Sequence, residues 1–274
     1  MISYHDITAG LDDLGLSRIT PVIVHIRTDK VGSVKGGLNT LMGALLACID
    51  NVMMPVFTHD TLVIPESGPP DNFIQYGSGR EANLKASIYT YDLPCSMPGC
   101  EASEALRRHP ATYRSAHPVF SFTGLGLDSA LAKHPPDDPY APLRWMRGMD
   151  AWVLMMGAGP EENFSLHYAE HLVGRKQFIR WALSQEGIVE IPHFPGCPNG
   201  FHKMDYYLSD ELRRTQVEGV EWQAVNLDVL LKSATALMQE DNFALLCNNL
   251  GCPRCNLVRK SIKEKYANHW QSEA

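Results

Sequence analysis

The sequence predicts an α/β fold in which a mixed, largely parallel central sheet is flanked by helices. The chain has 274 residues, of which 45% are hydrophobic, enough to build a large core. A β-branched segment at 20–25, a glycine-containing turn, a helix at 38–49 and a strand at 51–57 follow in the order of a βαβ unit with a right-handed crossover. The clearest buried strand, 151–157, enters a Gly-Ala-Gly-Pro turn and then a helix that contains 165–172. Because ligands of open α/β sheets bind beyond the carboxyl ends of strands, we expect the site at this turn.

We predict that residues 1–274 form a single domain to which the remaining segments belong. From 59 to 100 the chain is rich in Pro, Gly, Asn and Ser, which predicts a long loop or a lid insertion. Residues 192–274 form a C-terminal subregion with a possible cysteine cluster. The other predicted elements are a helix at 102–108, a strand at 119–122, a helix at 125–133, a β-rich segment at 178–191 and a helix at 228–239.

Charge and hydropathy narrow the class of partner and the compartment. Lys and Arg number 24 against 31 Asp and Glu, a net charge of -7, which disfavours nucleic acid and favours a cationic small molecule. No stretch approaches the ~20 apolar residues of a membrane span, and the first residues lack the basic start and apolar run of a signal peptide. We predict a cytoplasmic protein without a membrane partner. The oligomeric state stays open, and a homodimer is one arrangement that the sequence allows.

His167 and Glu170 are the candidate catalytic residues. Positions three apart share one face of a helix, so the carboxylate can hold one imidazole nitrogen and leave the other free as a general base. Such pairs also occur on helices without any catalytic role. The position of this pair, directly after the clearest buried strand and its Gly-x-Gly turn, favours a cleft and therefore catalysis.

Four cysteines form a candidate metal site. Cys247, Cys252 and Cys255 have the spacing Cys-x4-Cys-x2-Cys, with Gly251 and Pro253 between them, which suits tetrahedral thiolate coordination of zinc. Cys197 is the best candidate for the fourth ligand, and His193 and His202 are the next candidates. Four thiolates would make the zinc site structural rather than catalytic. The alternative is a set of reduced thiols that serve packing or lie at the surface.

Several sequence blocks occur in the order found in a known family. They are the strand that ends at His25, the Gly36-Gly37 pair with its helix, Met-Pro-Val-Phe-Thr at 54–58, Arg-Ser-Ala-His-Pro-Val-Phe-Ser at 114–121, and Ser-Leu-His-Tyr-Ala-Glu at 165–170 after the strand at 152–157. In these blocks the chain resembles the aminoglycoside 3-N-acetyltransferase family over nearly its whole length. The Arg-Ser-x-His-Pro block can equally be a structural turn whose arginine ties loops together.

The resemblance implies an enzyme that transfers an acetyl group from acetyl-CoA directly to an amine of an aminoglycoside or a similar cationic metabolite. It implies that His167 is the general base and that Glu170 supports it. The expected CoA-binding residues are Arg27, Thr28, Lys30, Gly32, Gly36, Gly37 and Ser115, since a helix start and basic side chains suit phosphates.

Two departures from the family pattern leave alternatives open. The segment 25–30 has His, Arg and Lys where the family has small hydroxyl residues, so Arg27 and Lys30 either hold CoA phosphates or mark a remodelled donor site. Phe164 stands where a threonine is common. The alternative functions are the same fold with a different acyl acceptor or a hydrolytic activity, and a zinc-stabilised binding protein without catalysis.

Overall fold

Two β-sheets and their flanking helices organise the structure. The computed structural model describes residues 1–272, and it describes the side chains of residues 1–265 and 267. Within that range the strands are β1 (Val22–Ile26), β2 (Val52–Pro55), β3 (Leu62–Val63), β4 (Tyr113–Arg114), β5 (Phe122–Leu125), β6 (Trp152–Met156), β7 (Phe178–Ser184), β8 (Gly187–Phe194), β9 (Arg213–Val217) and β10 (Val220–Asn226). The helices are α1 (Tyr4–Asp13), α2 (Gly37–Cys48), α3 (Arg80–Asn83), α4 (Glu101–Arg107), α5 (Asp128–Ala132), α6 (Ala141–Gly148), α7 (Ser165–Leu172), α8 (Met204–Tyr207), α9 (Leu227–Glu240) and α10 (Pro253–Ser272). None of these helices, in the part of the chain described, combines the length and the apolar character that a membrane crossing requires.

The larger sheet has seven strands in the order β4-β5-β2-β1-β6-β10-β9. Strand β1 pairs in parallel with β2 on one side and with β6 on the other. Antiparallel strands complete both edges, β5 next to β2 and β10 next to β6. The predicted mixed α/β fold is therefore confirmed, with the parallel strands at its centre, and the predicted β1-α2-β2 unit forms the middle of it.

The central strands are buried on both faces, which explains their continuous apolar sequences. Ile23 and Val153 belong to one hydrophobic cluster, whereas Val24 and Leu154, the next residues along the same strands, belong to another. Helices α1 and α2 contribute to the second cluster, and α7 and α9 contribute to the first. Successive side chains of a strand point to opposite faces of the sheet, so each cluster covers one face. The sheet is therefore the middle layer of three.

Most predicted helices and strands lie where the sequence places them, within one to three residues. One prediction is wrong in position: in the strand predicted at 119–122, Val119 and Phe120 belong to a turn at 118–120, and β5 begins only at Phe122. The His117 side chain causes this, because its Nδ1 accepts hydrogen bonds from the backbone N–H groups of Val119 and Phe120 at 3.1 and 2.9 Å. As a consequence the next helix, predicted at 125–133, begins at Asp128.

The segment 59–100 holds only short elements. Besides a 3-10 turn at His59–Thr61, it contains β3 and α3. Strand β3 pairs antiparallel with β7 in a second sheet of the order β3-β7-β8, so the segment is attached to the β7-β8 hairpin that the sequence predicts as β-rich. Its role as a lid stays a prediction.

Three buried histidines lie close to the sheet and its loops. Burial lowers the pKa of His25 to about 4 and that of His134 to about 3, and it holds the pKa of His117 well below 6.5. His134 Nδ1 lies 2.9 Å from Ser115 Oγ, and its Nε2 lies 3.2 Å from the carbonyl oxygen of Pro139. The three side chains are therefore neutral in the folded protein at neutral pH.

We expect the folded state to lose stability as the pH falls below the ordinary histidine pKa of 6.5. In that range the unfolded chain binds protons that the folded chain does not, so the free energy of unfolding decreases with decreasing pH. At about pH 5 the loss is on the order of 2 kcal/mol for each of His25 and His134, and His117 adds to it in the same direction. Urea unfolding followed at about pH 7 and about pH 5 measures it.

The variant His117→Asn provides the control. Its amide oxygen replaces Nδ1 as the acceptor for the two N–H groups, but it does not titrate. The loss of stability between the two pH values should be smaller in this variant than in the unmodified protein. An unchanged loss would contradict the assignment of His117 as a neutral buried side chain.

Candidate active site

A cavity of about 570 Å³ lies beyond the carboxyl ends of the three parallel strands. His25 and Ile26 of β1, Pro55 of β2 and Ala158, two residues after β6, line it. The location agrees with the expectation that ligands of an open α/β sheet bind at this edge. Helix α7 also reaches the cavity, through His167.

His167 and Glu170 form the buried pair that their spacing predicts. His167 Nδ1 lies 2.7 Å from Glu170 Oε2, and the two side chains are only 8% and 6% exposed. Since a carboxylate accepts hydrogen bonds, Nδ1 carries the proton and donates it to Glu170. The lone pair then resides on Nε2, the nitrogen that a general base uses.

A third residue fixes the carboxylate of Glu170. Arg175 Nη1 donates a hydrogen bond of 3.1 Å to Glu170 Oε1. Arg175 Nη2 donates to the carbonyl oxygens of Asn242 and Ala244 at 2.9 and 2.8 Å, which ties the site to the loop after α9. The side chain of Arg175 is 3% exposed, so it is a buried cation. One oxygen of Glu170 therefore accepts a hydrogen bond from Arg175, and the other accepts one from the His167 imidazole. Arg175 was not among the predicted site residues, because nothing in the local sequence pattern indicates that it folds back onto α7.

The start of α7 is fixed by the turn that precedes it. Asn163 is buried, and its Oδ1 accepts a hydrogen bond of 3.0 Å from the N–H of Ser165. Every side chain from Ser165 to Glu170 is buried, so the first turns of the helix have no face in solvent. This burial gives the His167 imidazole one orientation against the cavity.

Aromatic side chains make up much of the cavity wall. Phe164, in the position of the family's common threonine, packs its ring 4.8 Å from that of Phe57 and 5.1 Å from that of Phe120. Phe201 lies behind the base, with its ring centroid 4.7 Å from that of His167. The imidazole is therefore held between apolar rings on one side and Glu170 on the other.

Charges of both signs line the cavity. Glu161 and Glu162, from the 3-10 turn Pro160–Glu162, are its acidic lining residues, and Glu162 Oε1 accepts a hydrogen bond of 2.9 Å from Arg27. Arg180 and Arg254 also line the cavity. Burial and the neighbouring Arg254 lower the pKa of Arg180 to about 10, which leaves it charged at neutral pH.

His25 lines the cavity, although it was not among the predicted site residues. It is 4% exposed, and its Nε2 is buried without a hydrogen-bond partner among the residues described. A buried polar atom without a partner is unfavourable unless a ligand satisfies it. The signal in the sequence was the single histidine in an otherwise apolar strand.

Three of the predicted CoA-binding residues lie in the loop that follows β1. Arg27 lines the cavity and is held by Asp29 as well as by Glu162. Thr28 donates its hydroxyl hydrogen to the carbonyl oxygen of Gly99 at 3.1 Å, so it ties this loop to the end of the 59–100 segment. Lys30 is exposed, and its Nζ lies 3.5 Å from Glu162 Oε1.

Of the seven predicted CoA-binding residues, Arg27 lines this cavity and the other six do not. Gly36 and Gly37 have φ angles of +84° and +64°, in the left-handed region that favours glycine, and they form the turn into α2. Gly32, between β1 and this turn, has a φ angle of +92°. Ser115 is buried, and its Oγ accepts a hydrogen bond of 2.9 Å from the N–H of Phe122. A contact of these residues with CoA stays a prediction.

The four predicted metal ligands lie together. The Sγ atoms of Cys197, Cys247, Cys252 and Cys255 are all within 4.8 Å of one another. Cys197 follows β8, and Cys255 belongs to the first turn of α10, so the cluster joins two distant parts of the chain.

Comparison with known proteins confirms the family resemblance. The family model described as aminoglycoside 3-N-acetyltransferase matches residues 23–239. Aminoglycoside N(3)-acetyltransferase IX of Micromonospora chalcea is 34% identical over 184 residues, which cover 62% of this chain and 63% of that protein. The match thus covers about three fifths of the length of this relative.

Solved structures share the fold. The apoenzyme of the aminoglycoside acetyltransferase AAC(3)-IVa superposes with a TM-score of 0.74 at 21% identity, over 95% of this chain and 98% of that one. A binary complex of AAC-IIIb with CoASH superposes with a TM-score of 0.69 at 20% identity, over 87% of this chain and 96% of that one. The match of the family model over most of the sequence shows that this chain belongs to the aminoglycoside 3-N-acetyltransferase family.

Proposed function

We propose that this protein transfers an acetyl group from acetyl-CoA to an amine of an aminoglycoside or a similar cationic metabolite. The observation that carries the proposal is the buried His167-Glu170 pair, 2.7 Å apart, at a cavity formed by the carboxyl ends of three parallel strands. Family membership and the relative named as an aminoglycoside N(3)-acetyltransferase support the reaction. The CoASH complex of a protein with the same fold supports the donor.

His167 would act as the general base. An amine attacks a thioester carbonyl only through its lone pair, so an ammonium substrate must first lose a proton, and Nε2 of His167 is the acceptor for it. The new N–C bond forms as the C–S bond breaks, the acylated nitrogen gives up its second proton, and the leaving CoA thiolate takes that proton up. Glu170 keeps the imidazole in the productive tautomer and stabilises the imidazolium that forms.

The charges of the cavity constrain how a cationic acceptor binds. Glu161 and Glu162 attract ammonium groups, whereas Arg180 and Arg254 repel them. An acceptor with several amines would therefore place its remaining ammonium groups toward the two glutamates. Arg27 lies in the loop that follows β1 and donates a hydrogen bond to Glu162, and it would bind the phosphates of CoA.

Mass spectrometry of the purified protein with acetyl-CoA and a panel of acceptors tests this proposal. The panel contains aminoglycosides, simple monoamines and hydroxyl analogues, with release of free CoA thiol followed in parallel. We expect one added acetyl group on an aminoglycoside amine and CoA release that depends on the acceptor. CoA release without any acceptor would instead indicate hydrolysis, and failure to bind CoA would favour a binding protein without catalysis.

A further inference from the structure

The geometry of the four cysteines fits a mononuclear metal ion. A zinc ion bound by four thiolates at about 2.3 Å has sulfur-sulfur distances of about 3.8 Å. All four Sγ atoms here lie within 4.8 Å of one another, so a contraction of at most about an ångström brings them to that geometry. All seven cysteines of the chain are unpaired, so no disulfide competes for these sulfurs.

The surroundings of the cluster supply little other stabilisation. Cys247 and Cys255 belong to a small separate hydrophobic cluster with Leu246, Val258 and Ile262. That cluster is the apolar anchor of the first half of α10. A few side chains bury too little surface to order a helix start and two loops, and small units of this kind are commonly stabilised by a structural metal.

Three cationic side chains surround the cysteines. Arg259 Nη2 donates to the carbonyl oxygen of Cys247, Arg254 Nη1 to that of Gly196 at 3.1 Å, and Lys203 Nζ to that of Leu246 at 3.0 Å. Four thiolates around one Zn²⁺ carry a net charge of -2. Arg254 and Arg259 belong to α10 and Lys203 to a 3-10 turn, and these three cations offset that charge.

The cluster is joined to the candidate active site. Gly196 and Pro198, which flank Cys197, line the cavity, and so does Arg254, which lies between Cys252 and Cys255. One side of the cavity wall is therefore held by residues adjacent to the sulfurs. The position of the four cysteines therefore affects the shape of the cavity as well as the stability of the folded chain.

We infer that Cys197, Cys247, Cys252 and Cys255 bind one Zn²⁺ as thiolates, and that this closed structural site fixes Arg254 and the 196–198 segment in the cavity wall. Binding releases four thiol protons and forms four Zn–S bonds, with no change of oxidation state. Because no coordination position is left open, the ion takes no part in acetyl transfer.

Metal analysis of the unmodified full-length protein, purified without a nickel column or chelator, tests the site directly. We expect one zinc per chain, with four of the seven cysteines protected from a thiol reagent until a strong chelator is added. The variant Cys252→Ser should lose most of the zinc. Its matched control Cys48→Ser, a free cysteine at the end of α2, should keep it.

The unmodified protein decides the question even if Cys252→Ser does not fold. Absence of zinc from protein expressed with zinc in the medium, together with seven reactive thiols, would overturn the inference. Zinc that persists in Cys252→Ser at full affinity would place the ion elsewhere and overturn it as well.

A second readout tests the link to the cavity, and it rests on the proposed function. Removing zinc leaves the 196–198 segment of the cavity wall unfixed, so the amine must order this segment when it binds. The KM for the amine should therefore rise by about tenfold, with a much smaller change in kcat. An unchanged KM in metal-free protein would overturn the role in the wall. Zinc present in a protein without acetyltransferase activity would contradict the proposed function and leave the metal site standing.

Discussion

Replacing His167 by glutamine is expected to lower kcat for acetyl transfer by about 10²- to 10⁴-fold, the contribution of a general base. Glutamine approximates the size of the imidazole and can still contact Glu170, but it has no nitrogen lone pair that takes up a proton at neutral pH. The cavity wall keeps its shape, so the affinity for CoA should stay nearly unchanged. Steady-state kinetics with a reactive amine, together with calorimetric titration of CoA, separates the two quantities.

His171→Gln is the matched control for this variant. His171 lies one turn further along α7, where its ring packs against those of Tyr140 and His193, and it does not line the cavity. We expect its kcat to stay close to that of the unmodified enzyme. Unchanged turnover in His167→Gln would remove His167 from the proposed mechanism, and an equal loss in both variants would indicate that only the packing of α7 was being measured.

The pair could be predicted because its geometry is local. Residues three apart on a helix meet whatever surrounds them, so the sequence determines the contact between His167 and Glu170 once the helix is recognised. The cavity location followed from an equally local signal, a buried strand that runs into a glycine turn. The three parallel strands then bring His25, Pro55 and Ala158 to the same edge, as the topology requires.

Arg175 could not be predicted in the same way, because its contacts join distant parts of the chain. Its guanidinium reaches both Glu170 and the carbonyl oxygen of Asn242, which is 67 residues away in sequence. The turn at 118–120 could not be predicted either, for a related reason. An apolar sequence there favours a strand, but the side chain of His117 takes up the N–H groups that a strand would use.

The glycine turn before α2 illustrates a local signal that has a local explanation. Gly36 and Gly37 adopt left-handed backbone conformations that the turn needs, and neither lines the cavity. The glycine pair thus accounts for the turn, and its contact with CoA stays a prediction. The cysteines differ, since their spacing predicted a convergence that includes Cys197, distant in sequence, and the structure shows it.

The substitution Glu170→Gln should affect both stability and catalysis. It removes the carboxylate that faces the buried guanidinium of Arg175, and breaking a buried ion pair from one side costs about 3–5 kcal/mol. The amide is also a weaker partner for an imidazolium, so kcat should fall by about 10²-fold, within the range for assisted proton transfer. Urea unfolding and steady-state kinetics on the same preparation measure the two losses.

A second substitution in the same chain separates the two effects. Adding Arg175→Met to Glu170→Gln removes the unpaired buried charge, which should restore part of the free energy of unfolding. It should not restore kcat, because the imidazole still lacks its carboxylate. Recovery of kcat along with stability would mean that Glu170 only supports the packing around α7, whereas recovery of stability alone identifies Glu170 as the residue that orients His167 and stabilises its charged form.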